Sequence, residues 1–99
     1  MIDGTYAIEV NTPLGRKPGT VTIRTQGTTA YADIDAPLIG KQQVVGRVDG
    51  DSFSAQGTFK LRLVGKVRYS LTGSVVDDEI RIAIESSKGS FNLVGVRVS

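Results

Sequence analysis

Apolar and polar residues alternate along most of this chain, in short runs such as Tyr6-Ala7-Ile8-Glu9-Val10, Val21-Thr22-Ile23-Arg24 and Ile80-Arg81-Ile82-Ala83-Ile84. A period of two is the signature of a strand with one buried face, and no helix is needed to account for any segment. Turn signals separate the runs. Gly15, Gly40, Gly65 and Gly89 recur at intervals of 25, 25 and 24 residues, and Gln26-Gly27, Asp49-Gly50 and Asp77-Asp78 fall roughly midway between them. The interval is one β-hairpin long, so the pattern divides the chain into about eight short antiparallel strands.

Residues paired across a hairpin share a face, which lets each turn be tested for register. With Asp49-Gly50 as a type I′ turn, Gly46 opposes Phe53 and Val44 opposes Ala55. With Gln26-Gly27, Ile23 opposes Ala30 and Val21 opposes Ala32. With Asp77-Asp78, Val75, Gly73 and Leu71 oppose Ile80, Ile82 and Ile84. A three-residue turn ending at Gly65 sets Leu61 against Val67 and Phe59 against Tyr69, with Lys60 beside Arg68 outside. Ser87-Lys88 sets Ile84 against Phe91 and Ile82 against Leu93. Every hairpin buries one face. Such a meander covers its apolar side most simply by curling into a single up-and-down antiparallel β-barrel of about eight strands; the alternative is a sandwich. Gly46, Gly57, Gly73 and Gly95 mark points of sharp coiling, and a bulge near Gly95 is expected, because Val96 and Val98 change parity after Phe91 and Leu93.

The chain has 99 residues, which is room for one domain with one core. It lacks cysteine and histidine, which removes thiolate nucleophiles, sulfur-ligated metal and the commonest general base and metal ligand. No catalytic residue set, metal site or cofactor is indicated. The net charge of +2 is too small to imply a nucleic-acid partner. No stretch is apolar enough to span a bilayer as a helix, and Met1-Ile2-Asp3-Gly4-Thr5 has no signal-peptide character, so the expectation is a cytoplasmic protein with no membrane partner.

The predicted interior carries large apolar side chains interrupted by small ones, including Ala30, Ala32, Ala55, Gly46, Gly57 and Gly73. A barrel of this size is either filled by side chains or holds one small ligand. The candidate ligand-binding residues are Tyr6, Tyr69, Gln42, Phe59 and Ala30. The opposing reading is that small residues simply offset large ones. Asp33 and Asp35 would stand about 6 to 7 Å apart on one face of their strand. A three-residue turn at Gln26-Gly27 would swing Tyr31 and Asp33 inside; a two-residue turn keeps both aspartates outward, and the cost of burying unpaired carboxylates favours that reading over dyad chemistry.

Alternate turns of a meander fall at opposite ends. Arg16, Lys17, Lys41, Lys66 and Lys88 therefore form a basic rim, and Asp3, Asp49, Asp51, Asp77, Asp78 and Glu79 gather at the other end. A basic mouth steers an anionic ligand toward it. Asn11 to Gly19, with two prolines and two glycines, reads as a long shaped loop beside that rim.

Gly4-Thr5-Tyr6, Thr12-Pro13-Leu14-Gly15, Ile34-Asp35-Ala36-Pro37, Val48-Asp49-Gly50-Asp51 and the run from Phe91 through Gly95 to Arg97 resemble a family of small bacterial β-barrel domains, lipocalin-like (calycin-like) in shape. The resemblance spans nearly the whole chain and implies a ligand-binding barrel, with no activity or residue set to transfer. The leading expectation is a non-enzymatic barrel that binds a small, largely apolar and anionic molecule in its interior. The alternatives are a module that docks on a partner or self-associates as a homodimer through Val45, Val76 and Val94, and a cyclase or isomerase that works by enclosing its substrate.

Overall fold

The computed structural model describes residues 2–37, 39–61 and 65–99, without the side chains of Thr12 and Leu61. Eight strands follow in order: β1 (Gly4–Thr12), β2 (Gly15–Gln26), β3 (Thr29–Ala36), β4 (Gly40–Asp49), β5 (Ser52–Leu61), β6 (Gly65–Val76), β7 (Glu79–Ser86) and β8 (Gly89–Arg97). Each pairs antiparallel with the next, and β8 closes on β1 from Tyr6↔Arg97 to Val10↔Leu93, giving an up-and-down closed barrel with no helix among the described residues. Closure removes the free sheet edges that a meander would otherwise leave.

The inward faces match the alternation in the sequence. Tyr6, Ile8, Val10, Val21, Ile23, Ile34, Val44, Phe53, Phe59, Leu71, Ile80, Ile82, Ile84 and Leu93 are buried in one cluster, with Ala30, Ala32, Ala36 and Ala55 among them. Leu61, expected here too, lies outside the described side chains. Ile2 and Ile39 add plugs at the two ends. Among the described residues no polar or charged residue is counted as buried.

Three hairpin registers differ from the sequence reading by two residues. β2 and β3 pair through Gln26↔Thr29 and Ile23↔Ala32, and β4 and β5 through Asp49↔Ser52 and Gly46↔Ala55. The turn centres are thus Gly27-Thr28 and Gly50-Asp51. Gly27 and Gly50 have φ of 61°, while Thr28 and Asp51 stay out of the positive region. Only the first central residue needs positive φ, the arrangement of a type II′ rather than a type I′ turn. At Asp77-Asp78 both residues take positive φ, 51° and 67°, and the expected pairs Val75↔Ile80 and Leu71↔Ile84 form. The β5–β6 register is shifted as well, to Leu61↔Gly65 and Phe59↔Val67, which sets Lys60 opposite Lys66 and not Arg68. A shift of two preserves the faces, so Asp33 and Asp35 remain outside, paired with Thr22 and Thr20.

Two other expectations are corrected. The segment from Asn11 to Gly19 is not a long loop: only Pro13 and Leu14 lie between β1 and β2, and Arg16 to Gly19 are strand residues. Pro18 is tolerated there because the β2–β3 ladder begins only at Thr20↔Asp35, leaving no ladder on that side for its missing N–H. Near Gly95 there is no bulge. The β7–β8 and β8–β1 registers run through it without a break, so Val94 and Val96 point outward, and both are exposed, as is Val98 beyond the end of β8.

Candidate functional site

The strand glycines decide how the interior is filled. A Cβ on Gly46 would lie 2.0 Å from the Ser54 carbonyl oxygen, and one on Gly95 2.1 Å from that of Ala7. At Gly73 the space is taken by the ring of Phe53, its cross-strand partner, and at Gly57 by the ring of Tyr69. These glycines let strands or rings close up on one another. The row Ala30↔Gly46↔Ala55 is the same kind of tight coil, so Ala30 belongs to the packed wall.

Tyr6 stands apart from the other candidates. It is fully buried at the acidic end, where its hydroxyl donates to the Ile2 carbonyl at 2.7 Å and the Arg97 guanidinium lies 5.1 Å from its ring centre. Arg97 is in turn held by the Asp78 carboxylate at 2.9 Å and by the Asp3 carbonyl. The Asp3 carboxylate accepts from the Thr25 hydroxyl and backbone N–H at 2.7 and 2.8 Å, and these bonds hold its pKa below the ordinary 3.8. Burial raises the Tyr6 pKa above 10.0, against the opposing pull of Arg97. This constellation is a closure: it seals one end with the N-terminal segment.

At the basic end the wall is incomplete. The β4–β5 ladder has four residue pairs, from Gly46↔Ala55 to Asp49↔Ser52, although both strands continue well beyond Gly46 and Ala55. Past that point Gln42 bridges the strands, its amide nitrogen donating to the Lys60 carbonyl at 3.1 Å and to the Ile39 carbonyl at 3.0 Å. Behind the seam lie Phe59 and Tyr69, their rings stacked with centroids 4.0 Å apart and planes 9° from parallel.

The Tyr69 hydroxyl has no hydrogen-bond partner among the described residues, yet no side-chain polar atom is both buried and unpartnered. It therefore reaches solvent, and it does so beneath exposed Gly57, whose missing Cβ would sit 3.0 Å away. Burial of the ring raises its pKa above 10.0 and keeps it a neutral donor. Lys41 is the second residue of β4, and Lys60 faces Lys66 across β5–β6, all three exposed at the same end. Of the candidate residues, the structure thus gathers Tyr69, Phe59 and Gln42 with Lys41 and Lys66, and adds Lys60. Arg16, Lys17 and Lys88 are exposed on the β1–β2 and β7–β8 hairpins, with Arg16 3.7 Å from Glu9.

Two shallow cavities formed by the described residues lie on the outer wall. The larger, about 1050 Å³, crosses β4 to β8 over short side chains such as Ser54, Thr72 and Ala83, between Arg47 and Arg81. Those residues are cross-strand neighbours, in the row Arg47↔Ser54↔Thr72↔Ala83↔Asn92. Among the described residues no three carboxylates, histidines or cysteines come close enough to hold a metal ion.

No family model matches this chain, and neither does any curated protein. Its fold is similar to that of a redesigned β-barrel of known structure, at a TM-score of 0.63 over 99% of this chain and 92% of that one, with 12% sequence identity. At that identity the likeness establishes a small β-barrel fold and nothing of function.

Proposed function

We propose that this barrel binds a small ligand with an apolar body and an anionic end, at the unpaired β4–β5 seam of the basic rim and not in a preformed central void. The observation that carries this reading is the Tyr69 hydroxyl, a nearly buried donor with no partner among the described residues, lying against Gly57 on the unpaired stretch of β5. Donors so placed fix the orientation of an otherwise apolar ligand. The stacked faces of Phe59 and Tyr69 supply apolar contact, the carbonyl of the Gln42 side chain an acceptor, and Lys41, Lys60 and Lys66 a field that attracts the anionic end. The lipocalin-like resemblance supports ligand binding at a barrel mouth.

Dodecanoate and anilinonaphthalene sulfonate are suitable probes, each joining an apolar body to one anionic group. The expected result is saturable binding that weakens roughly tenfold on charge reversal at Lys41 and Lys66 together, and more at low ionic strength than at high. Tyr69→Phe weakens it further without unfolding the protein. Absence of binding, or binding indifferent to both changes, contradicts the proposal.

A further inference from the structure

The outward face of β8 is apolar at Val94 and Val96, exposed by 47% and 55%, and Val98, just past the end of the strand, is exposed by 60%. On a barrel wall that face is where polar residues belong. Ala7 of β1 lies beside Val96, which extends the stripe sideways. Its flanks are charged with opposite sign at one level: Val94 has Arg81 on the β7 side and Glu9 on the β1 side.

We infer that this face is the interface of a symmetric homodimer. A two-fold axis running parallel to β8 in the contact plane brings the β7 side of one copy over the β1 side of the other at the same level. Val94 then meets Val94 and Val96 meets Val96, while each Arg81 meets Glu9 of the second copy, so two ion pairs frame one apolar strip. A face that satisfies itself in this way is what an isologous contact requires. Inside each copy Arg81 already lies 2.7 Å from Glu79 and Glu9 3.7 Å from Arg16, so the contact joins two existing pairs into one network. A shallow cavity of about 360 Å³, lined by Ala7, Glu9, Val94 and Val96, runs along the β1 side of this strip and would be covered in the contact.

Three strands in width and the length of β8, the strip is roughly 14 by 30 Å. Counted over both copies that is about 840 Å², below the roughly 1,200 Å² where stable specific interfaces begin, so the dimer is weak and forms and dissociates with concentration.

Sedimentation velocity across a concentration series, from micromolar to millimolar, tests this. The wild-type protein is expected to shift from monomer to dimer. Val94→Asp with Val96→Asp is expected to abolish the shift while circular dichroism stays that of a β-barrel. Arg81→Glu places like charges together twice and is expected to weaken the dimer roughly tenfold or more, and adding Glu9→Arg to restore it. A chain monomeric throughout overturns the inference and leaves the stripe to a different protein. A dimer unaffected by the two aspartates overturns it too, as does failure of the double charge reversal to restore association.

Discussion

Tyr69 stacks on Phe59, its diagonal neighbour across β5–β6, while its direct cross-strand partner is Gly57. The glycine lets the phenol lie flat along the inner wall, and the stack holds it there. The hydroxyl is then left at the wall's surface without a partner among the described residues.

That arrangement distinguishes the two buried tyrosines by their stability cost. Tyr69→Phe removes a hydroxyl with no partner among the described residues and is expected to change unfolding free energy by less than about 0.5 kcal/mol. Tyr6→Phe strands the Ile2 carbonyl that its hydroxyl serves at 2.7 Å and is expected to cost about 1 to 3 kcal/mol. Urea unfolding of both variants reads the difference. Equal costs would mean that the hydroxyls are not placed as described.

The strand glycines are expected to rank by what their missing Cβ would meet. Gly46→Ala and Gly95→Ala drive a methyl into the Ser54 and Ala7 carbonyls, neither of which moves without its strand, and should cost about 3 kcal/mol or more. Gly57→Ala meets the Tyr69 ring no closer than 3.0 Å and should cost about 1 kcal/mol. Thermal or urea denaturation checks the order; a reversed ranking contradicts the tight coiling of β4 on β5 and of β8 on β1.

Acid and alkali should each remove a named contribution. The Asp3 carboxyl has its pKa lowered by the Thr25 hydrogen bonds, so its stabilisation is complete above the ordinary value of 3.8 and disappears as pH falls through the lower folded value. Asp3→Asn should flatten that acid limb. Tyr6 and Tyr69 have pKa values raised above 10.0 by burial, so above pH 10 the unfolded chain ionises first and stability falls. Replacing both with phenylalanine should make that alkaline fall shallower. Unfolding free energy measured across pH tests both limbs.

Much of this fold is legible in the sequence because the apolar alternation survives every register error that is a multiple of two. Reading Asp49-Gly50 in place of Gly50-Asp51 slid β5 along β4 by two residues yet kept Phe53 and Ala55 inside. The choice depends on which central residue takes positive φ, and Gly serves either turn type. Val96 and Val98 misled for another reason. An apolar residue on the wrong parity suggests a bulge only if apolar residues must be buried, and here they are exposed. For the site, Tyr69, Phe59 and Gln42 were visible as inward positions near the basic turns. The gap beside them was not, because it arises where two strands part, and no local residue pattern encodes that distance. Lys60 was missed for the same reason as the β5–β6 register, since its opposition to Lys66 depends on where the turn closes.

Residue-resolved amide hydrogen exchange is the most direct test of the open seam. Amides of residues 41–45 and 56–60 that face across β4–β5 should exchange with little protection, while those of the β1–β8 ladder approach the protection set by global unfolding. Saturation with dodecanoate should slow the seam amides selectively. Uniform protection along the whole of β4 and β5, unchanged by the probe, would contradict both the gap in the wall and the site behind it.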